Sequence, residues 1–288
     1  MLAHFENRQI AKPYRVKLLH LLGTLSVLCV YSFSFAQISG ANRTVLNQLE
    51  FANVVYLAEE HANVRDHLAQ LRIISRLRER NPDIAIGLEM VQRPFQEVLD
   101  RYIVGDISEA ELRRQTEYDA RWGYDWSLYA PIFRFAKIYG VPLIALNTPT
   151  EITRQVAFEG LASLSEENFR YIPPLSEIKL DNQAYRAEVR EVFAQHGSHG
   201  NSEAFENFFS AQVLWDETMA EAVAEYHQAH PRSQVIVLAG AGHINNDYGV
   251  PERVARRVTE DFEQYSVSLG NGLGESDEAA ATDFVWKY

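Results

Sequence analysis

The sequence has 288 residues, is 47% hydrophobic and carries a formal net charge of −12, with one cysteine and ordinary amounts of glycine and proline. That length and apolar share suit one globular domain, or one and a half, with ample core. The acidic balance argues against general nucleic-acid or anionic-membrane binding, and a single thiol excludes a disulfide framework or an iron–sulfur centre.

In chain order, the first predicted element is an export signal over residues 1–36. Arg8, Lys12, Arg15 and Lys17 precede the apolar run LLHLLGTLSVLCVYSFSFA, and Ser34-Phe35-Ala36 offers a cleavage site before Gln37. The alternative is an uncleaved membrane anchor, since the run is about the length of a short span. His20, Gly23 and several serines interrupt it, which favours cleavage. Cys29 lacks the surroundings of an acylated lipoprotein cysteine. Cleavage after Ala36 removes four basic residues and one acidic one, leaving 23 Lys+Arg, 38 Asp+Glu, no cysteine and a net charge of −15. The expected product is a soluble exported protein, periplasmic where the cell has two membranes.

Four apolar runs follow: VVYLA (54–58), IAIGL (84–88), PLIAL (142–146) and VIVLA (235–239). They are rich in Val, Ile and Leu and do not alternate, as expected of strands buried on both faces. Helical patterns separate them. Leu68, Leu71, Ile74 and Leu77 are read as one face of a first helix. Ser108 and Glu111 form a capping box for a helix through Arg114. Pro131 to Ile138 reads as a helix ended by Gly140, and Phe205 to His227 as one long helix. YSVSL (265–269) and DFVWKY (283–288) are two further strand candidates, joined by the Gly-rich, acidic GNGLGESDEAAA. The expected fold class is α/β: a mostly parallel central sheet flanked by helices, with helical insertions between strands.

In such sheets ligands bind beyond the carboxyl ends of the strands. The first run ends on Glu59, Glu60 and His61, the second on Glu89, the third on Asn147 and Thr148, and the fourth on Gly240-Ala241-Gly242-His243. A buried strand ends on charges where they meet water, a ligand or each other. Histidine with carboxylate suits a divalent metal or a general base, so Glu59, His61, Glu89 and His243 are the candidate catalytic and metal-holding residues. Glu60 also reads as a helix-start charge, and His243 as a turn cap. His196 and His199 in HGSHG fit either a clamp for metal or haem or a plain polar loop. The aromatics around Asp119, Arg121 and Asp125 in EYDARWGYDWSLY fit either a ligand wall or core packing. Gln212, Asp216 and Met219 fall near one helix face, turned to the crevice or to solvent.

Taken in order, VVYLAEEHAN, GLEMVQRPFQ, YDARWGYDWSLYAPI, ALNTP, AQVLWDETMA, LAGAGH, YGVPERVARR and DFVWKY resemble the ChaN-like haem-binding proteins of the Tiki-like superfamily, over residues 45–288. The family usually carries glycine where this chain has Ala58, and its members are often lipid-anchored. For the ChaN branch the resemblance implies iron-regulated haem binding, a tyrosine ligand and a homodimer that holds stacked haems. Tyr124 and Tyr248 are the candidate ligands, and His196 and His199 candidate second contacts. For the wider superfamily, with its metal-dependent proteases and erythromycin-esterase-like hydrolases, it implies chemistry at Glu59, His61, Glu89 and His243. The leading expectation is thus an exported haem-binding protein of iron or haem handling, working with cell-envelope haem-uptake components. A metal-dependent hydrolase is the second, and an envelope interaction protein with a vestigial site, suggested by Ala58, the third.

Overall fold

The non-alternating apolar runs become strands that are covered by helices on both faces. The structure, a computed structural model, describes residues 38–195, 202–258, 261–270 and 281–288; the expected signal segment, His196 and His199 lie outside the described residues. The strands are β1 (Val54–Glu59), β2 (Ile84–Gln92), β3 (Leu143–Asn147), β4 (Gln234–Gly240), β5 (Gln264–Leu269) and β6 (Phe284–Trp286). They form one sheet in the order β3-β2-β4-β1-β5-β6. Every neighbouring pair is parallel. β1 to β4 are buried along their whole length.

Helix α1 (Gly40–Leu49) leads into β1, and α2 (Val64–Arg80) joins β1 to β2. Between β2 and β3 lie α3 (Gln96–Ile103), α4 (Glu109–Gln115), α5 (Tyr118–Arg121) and α6 (Trp126–Tyr139). Helices α7 (Thr150–Glu159), α8 (Gln183–Gln195) and α9 (Ser202–Ala229) separate β3 from β4, and α10 (Ala241–Ile244) and α11 (Val250–Ala255) precede β5. Among the described residues no helix is long and apolar enough to cross a membrane.

Alternation along the strands assigns the two layers. Val54, Tyr56 and Ala58 of β1 cluster with Val235, Val237 and Ala239 of β4 and with Met219, Ala220 and Val223 of α9. Val55, Leu57 and Glu59 therefore face the other layer, that of α2 and α6. At one edge of the sheet, Gln96 of α3 donates to Leu143 O at 2.8 Å and accepts from Ala145 N at 2.8 Å, covering the open backbone of β3.

Local signals explain most boundaries. Ser108 and Glu111 close the expected capping box on α4, with the Ser108 side chain accepting from Glu111 N at 3.2 Å and Glu111 accepting from Ser108 N at 2.8 Å. Gly140 ends α6 with φ 63°, a conformation that glycine adopts without a side-chain clash. Three readings are corrected. Helix α6 begins at Trp126, because Asp125 caps it by accepting from Ser127 N at 2.7 Å; Pro131 lies inside the helix rather than at its start. Strand β2 runs on to Gln92. Leu68 is 57% exposed, since three steps of three residues drift halfway round a helix; the buried residues of α2 include His67, Gln70, Leu71, Ile74 and Leu77.

Candidate functional site

Glu59 and Gly240 are register partners, so β1 and β4 leave the sheet at the same level of its carboxyl-end rim. Glu59 is buried, and a buried carboxylate costs several kcal/mol unless donors replace its water. Three donors do so here. The Tyr129 hydroxyl of α6 reaches Oε1 at 2.5 Å, Gln70 Nε2 of α2 reaches Oε2 at 2.5 Å, and His61 Nδ1 lies 2.8 Å from Oε1. Burial and the charge of Glu59 push the Tyr129 phenol above the ordinary tyrosine value, so it stays a donor. His67 braces the loop behind, with Nε2 2.9 Å from His61 O and Nδ1 3.2 Å from Gln70 Oε1.

Because Glu59 holds Nδ1 of His61, the other nitrogen is the one without a hydrogen-bond partner among the described residues. It faces Gly240, where a Cβ would lie 2.8 Å from His61 Nε2 and 3.7 Å from Glu89 Oε2. The ring packs against Trp122 and Tyr124 at centroid distances of 4.8 Å each, and its side chain is 23% exposed. Burial pulls the His61 pKa down, but the Glu59 hydrogen bond and the charges of Glu89 and Glu59 outweigh it, so the net shift is upward.

The second half of the site belongs to the α9 layer. Glu89 accepts from Gly240 N at 2.6 Å and lies 3.4 Å from His243 Nε2. Asp216 of α9 receives His243 Nδ1 at 2.6 Å on one oxygen and the Tyr185 hydroxyl at 2.6 Å on the other. The Gln212 amide lies 3.1 Å from both His243 Nδ1 and the Tyr185 hydroxyl. Burial opposes charge on His243, yet Glu89 and Asp216 on either side raise its pKa to about 10. Burial likewise opposes charge on Glu89, and His243, His61 and the Gly240 N–H overcome it, holding Glu89 below the usual carboxylate range. Asn147 ties β3 to this group, donating to Glu89 O at 2.7 Å and accepting from Trp215 Nε1. Thr148 beside it is buried, and its hydroxyl has no partner among the described residues.

The sequence-predicted residues therefore meet as two acid–histidine pairs, Glu59–His61 and Glu89–His243, approaching from opposite faces of the sheet around Gly240. Among the described residues no group of three or more His, Cys, Asp or Glu is arranged to hold a metal ion, and within each pair acid and imidazole face one another. Glu60 lies outside both pairs. Tyr124 is 37% exposed on the His61 side, whereas Tyr248 is half-buried on the other, 6.4 Å from the Tyr185 ring. The aromatic run divides its labour: Tyr118, Trp126 and Tyr129 are buried, and Trp122 and Tyr124 border His61. His67, Gln70 and Tyr185 escaped the sequence reading, and Tyr129 entered it only as one of the aromatics of EYDARWGYDWSLY. The available signal was the spacing of His67, Gln70, Ile74 and Leu77, which puts two polar residues on the buried face of α2 in its rim-side turns.

Residues 45–254 match the family described as haem-binding uptake, Tiki superfamily, ChaN. The chain is similar to the chloroplastic protein RETICULATA-RELATED 5 of Arabidopsis thaliana, 27% identical over 266 residues that make up 85% of this chain and 35% of that protein, so it spans about a third of that relative's length. Its fold is similar to that of ChaN of Campylobacter jejuni, a structure described as showing cofacial haem binding, with a TM-score of 0.66 and 18% identity over 84% of this chain and 90% of that one. It is also similar to the type III effector HopBA1, with a TM-score of 0.50 and 13% identity over 86% of this chain and 94% of that one. At such identities the two structures speak for the fold alone. The family match spans most of the chain, and the chain belongs to the ChaN haem-binding uptake family of the Tiki superfamily.

Proposed function

We propose that this protein binds haem on the aromatic rim beside His61, with Tyr124 as the iron ligand. The observation that carries the reading is the state of Tyr124: it is a part-exposed phenol of the rim, standing against His61 and 5.7 Å from the Trp122 ring. The residues fit the group. Haem offers a broad apolar face, which aromatic rings and an imidazole can cover, and a ferric iron, for which a phenolate is a suitable ligand. Bound haem would supply iron-centred chemistry. The chain's own contribution is to hold the ring wall in place through Tyr129, Glu59 and His61 and to shield one face from water. Tyr248 is the weaker candidate, since its ring is packed against Tyr185. Export directed by residues 1–36, a role in iron acquisition, envelope partners and a homodimer complete the proposal.

The test is a hemin titration followed by absorbance. The expected result is a saturable Soret band with a charge-transfer feature, and in Tyr124→Phe the loss of that feature with roughly tenfold weaker binding, equivalent to about 1.4 kcal/mol. A flat titration, or a Tyr124→Phe protein identical to the parent, would overturn the reading.

A second reading is hydrolysis at His61 and Glu89. It is supported by the cost of gathering two carboxylates and two imidazoles at the rim, and by Nε2 of His61, oriented by Glu59 as a general base is oriented by a neighbouring acid. Activity against ester or peptide substrates that His61→Ala abolishes would favour it over the first.

A further inference from the structure

We infer that Tyr288, beyond the last residue of β6, positions the loop between β1 and α2 that carries His61 into the site. The inference rests on the haem-binding reading only for its ligand readout.

That loop is short, Glu60 to Asn63, and few groups fix its shape. The backbone closes a turn through Asn63 N to Glu60 O at 2.8 Å. His67 Nε2 lies 2.9 Å from His61 O, and two further side chains hold the residues on either side of it. Asp66, 1% exposed, accepts the Glu60 N–H on Oδ2 at 2.7 Å, one residue before His61. Asn63 caps α2, its Oδ1 accepting from Arg65 N at 3.1 Å. The Tyr288 hydroxyl is bound to both: it donates to Asp66 Oδ1 at 3.0 Å and accepts from Asn63 Nδ2 at 3.0 Å. One hydroxyl thus joins the two side chains that hold the chain just before and just after His61, while His67 holds His61 O itself.

The rest of the molecule holds that hydroxyl in place. Gly270, directly after β5, has φ 94°, and a Cβ there would stand 2.8 Å from the Tyr288 oxygen and 3.1 Å from Cζ. A side chain at 270 would therefore be strained by the backbone conformation and would occupy the seat of the phenol. Lys287, the preceding residue, is clamped to α1 on both backbone groups, donating to Asn42 Oδ1 at 3.1 Å and accepting from Asn42 Nδ2 at 2.6 Å. The Gly270 N–H donates to Trp286 O at 2.8 Å. The Tyr288 ring is 47% exposed, so its burial adds little to the core, and the specific part of the contact is the hydroxyl. Although it is another part-exposed phenol near the rim, Tyr288 is not placed as an iron ligand: its proton is donated to Asp66, which works against the phenolate form that ligation needs.

The experiment compares the full chain with Tyr288→Phe, which keeps the ring and deletes the hydroxyl. Amide hydrogen exchange at Glu60, the NMR signals of the His61 ring, the thermal midpoint and the hemin half-saturation point are measured in both. The expected result is about tenfold faster exchange at Glu60, displaced His61 ring signals and severalfold weaker hemin binding, with a thermal midpoint near that of the parent. Unchanged Glu60 exchange and unchanged His61 signals would overturn the inference. A moved loop with unaltered hemin affinity would overturn its role in ligand positioning. Should neither protein bind hemin, the haem reading fails, while exchange at Glu60 and the His61 signals still decide whether Tyr288 sets the loop.

Discussion

Replacing Gly240 by Ala separates the packing of the site from the stability of the fold. The backbone permits alanine, with φ −58° and ψ 145°. The new Cβ would come within 2.8 Å of the His61 ring, the outer end of a partly exposed side chain that can swing away. The expected cost is the His61–Glu59 hydrogen bond, about 1 kcal/mol, with a much larger effect on whatever the rim binds. Urea unfolding and a hemin titration of Gly240→Ala check the two halves; undisturbed His61 ring signals would contradict the geometry. At this scale the sequence was informative where charge abuts an apolar strand: Glu59, His61, Glu89 and His243 all stand at the rim. It was silent on Tyr129 and Tyr185. Their hydroxyls sit in aromatic and helical stretches that also read as ordinary core, and only the orientation of α6 and α8 aims them at Glu59 and Asp216.

Among the elements, α4 shows how a surface cap reaches the interior. Ser108→Ala removes one partner of the capping box and should lower unfolding stability by about 1 kcal/mol, read as a shifted urea midpoint with an unchanged slope. The effect should be felt at Trp126, because Glu109, the first residue of α4, accepts from Trp126 Nε1 at 2.8 Å and from Arg134 Nε at 2.7 Å. A reduced midpoint with unchanged Trp fluorescence would limit the role of the cap to α4. Strands β1 to β4 were legible because burial on both faces leaves a continuous apolar run, whereas the half-buried β5 and β6 were read from YSVSL and DFVWKY. Helix rotation was less legible. The single face read for α2 from Leu68, Leu71, Ile74 and Leu77 fails at Leu68, and Gln70 instead turns inward to Glu59.

For the molecule as a whole, the Glu89–His243 pair sets a pH window. His243 is raised from 6.5 to about 10, so the stability it contributes is fully present below pH 6.5 and is lost as pH rises toward 10. Glu89 is lowered from 4.5, so its contribution is present above pH 4.5 and is lost as pH falls through its depressed value. Denaturant midpoints should therefore be highest between these limits and decline on the alkaline side. Asp216→Asn, which leaves His243 with Glu89 alone, should cost about 3 kcal/mol at pH 6 and flatten that decline. An alkaline slope equal to the parent's would remove His243 as its source. The sheet also has a bearing on association. A sheet edge is ordinarily an invitation to another chain, since its unpaired amides can template a further strand. Here the Gln96 side chain occupies that place on β3, presenting one donor and one acceptor as a neighbouring peptide unit would, and the opposite border, β6, is three residues long. Among the described residues neither margin offers a long ladder to extend, which works against growth into a continuous intermolecular sheet.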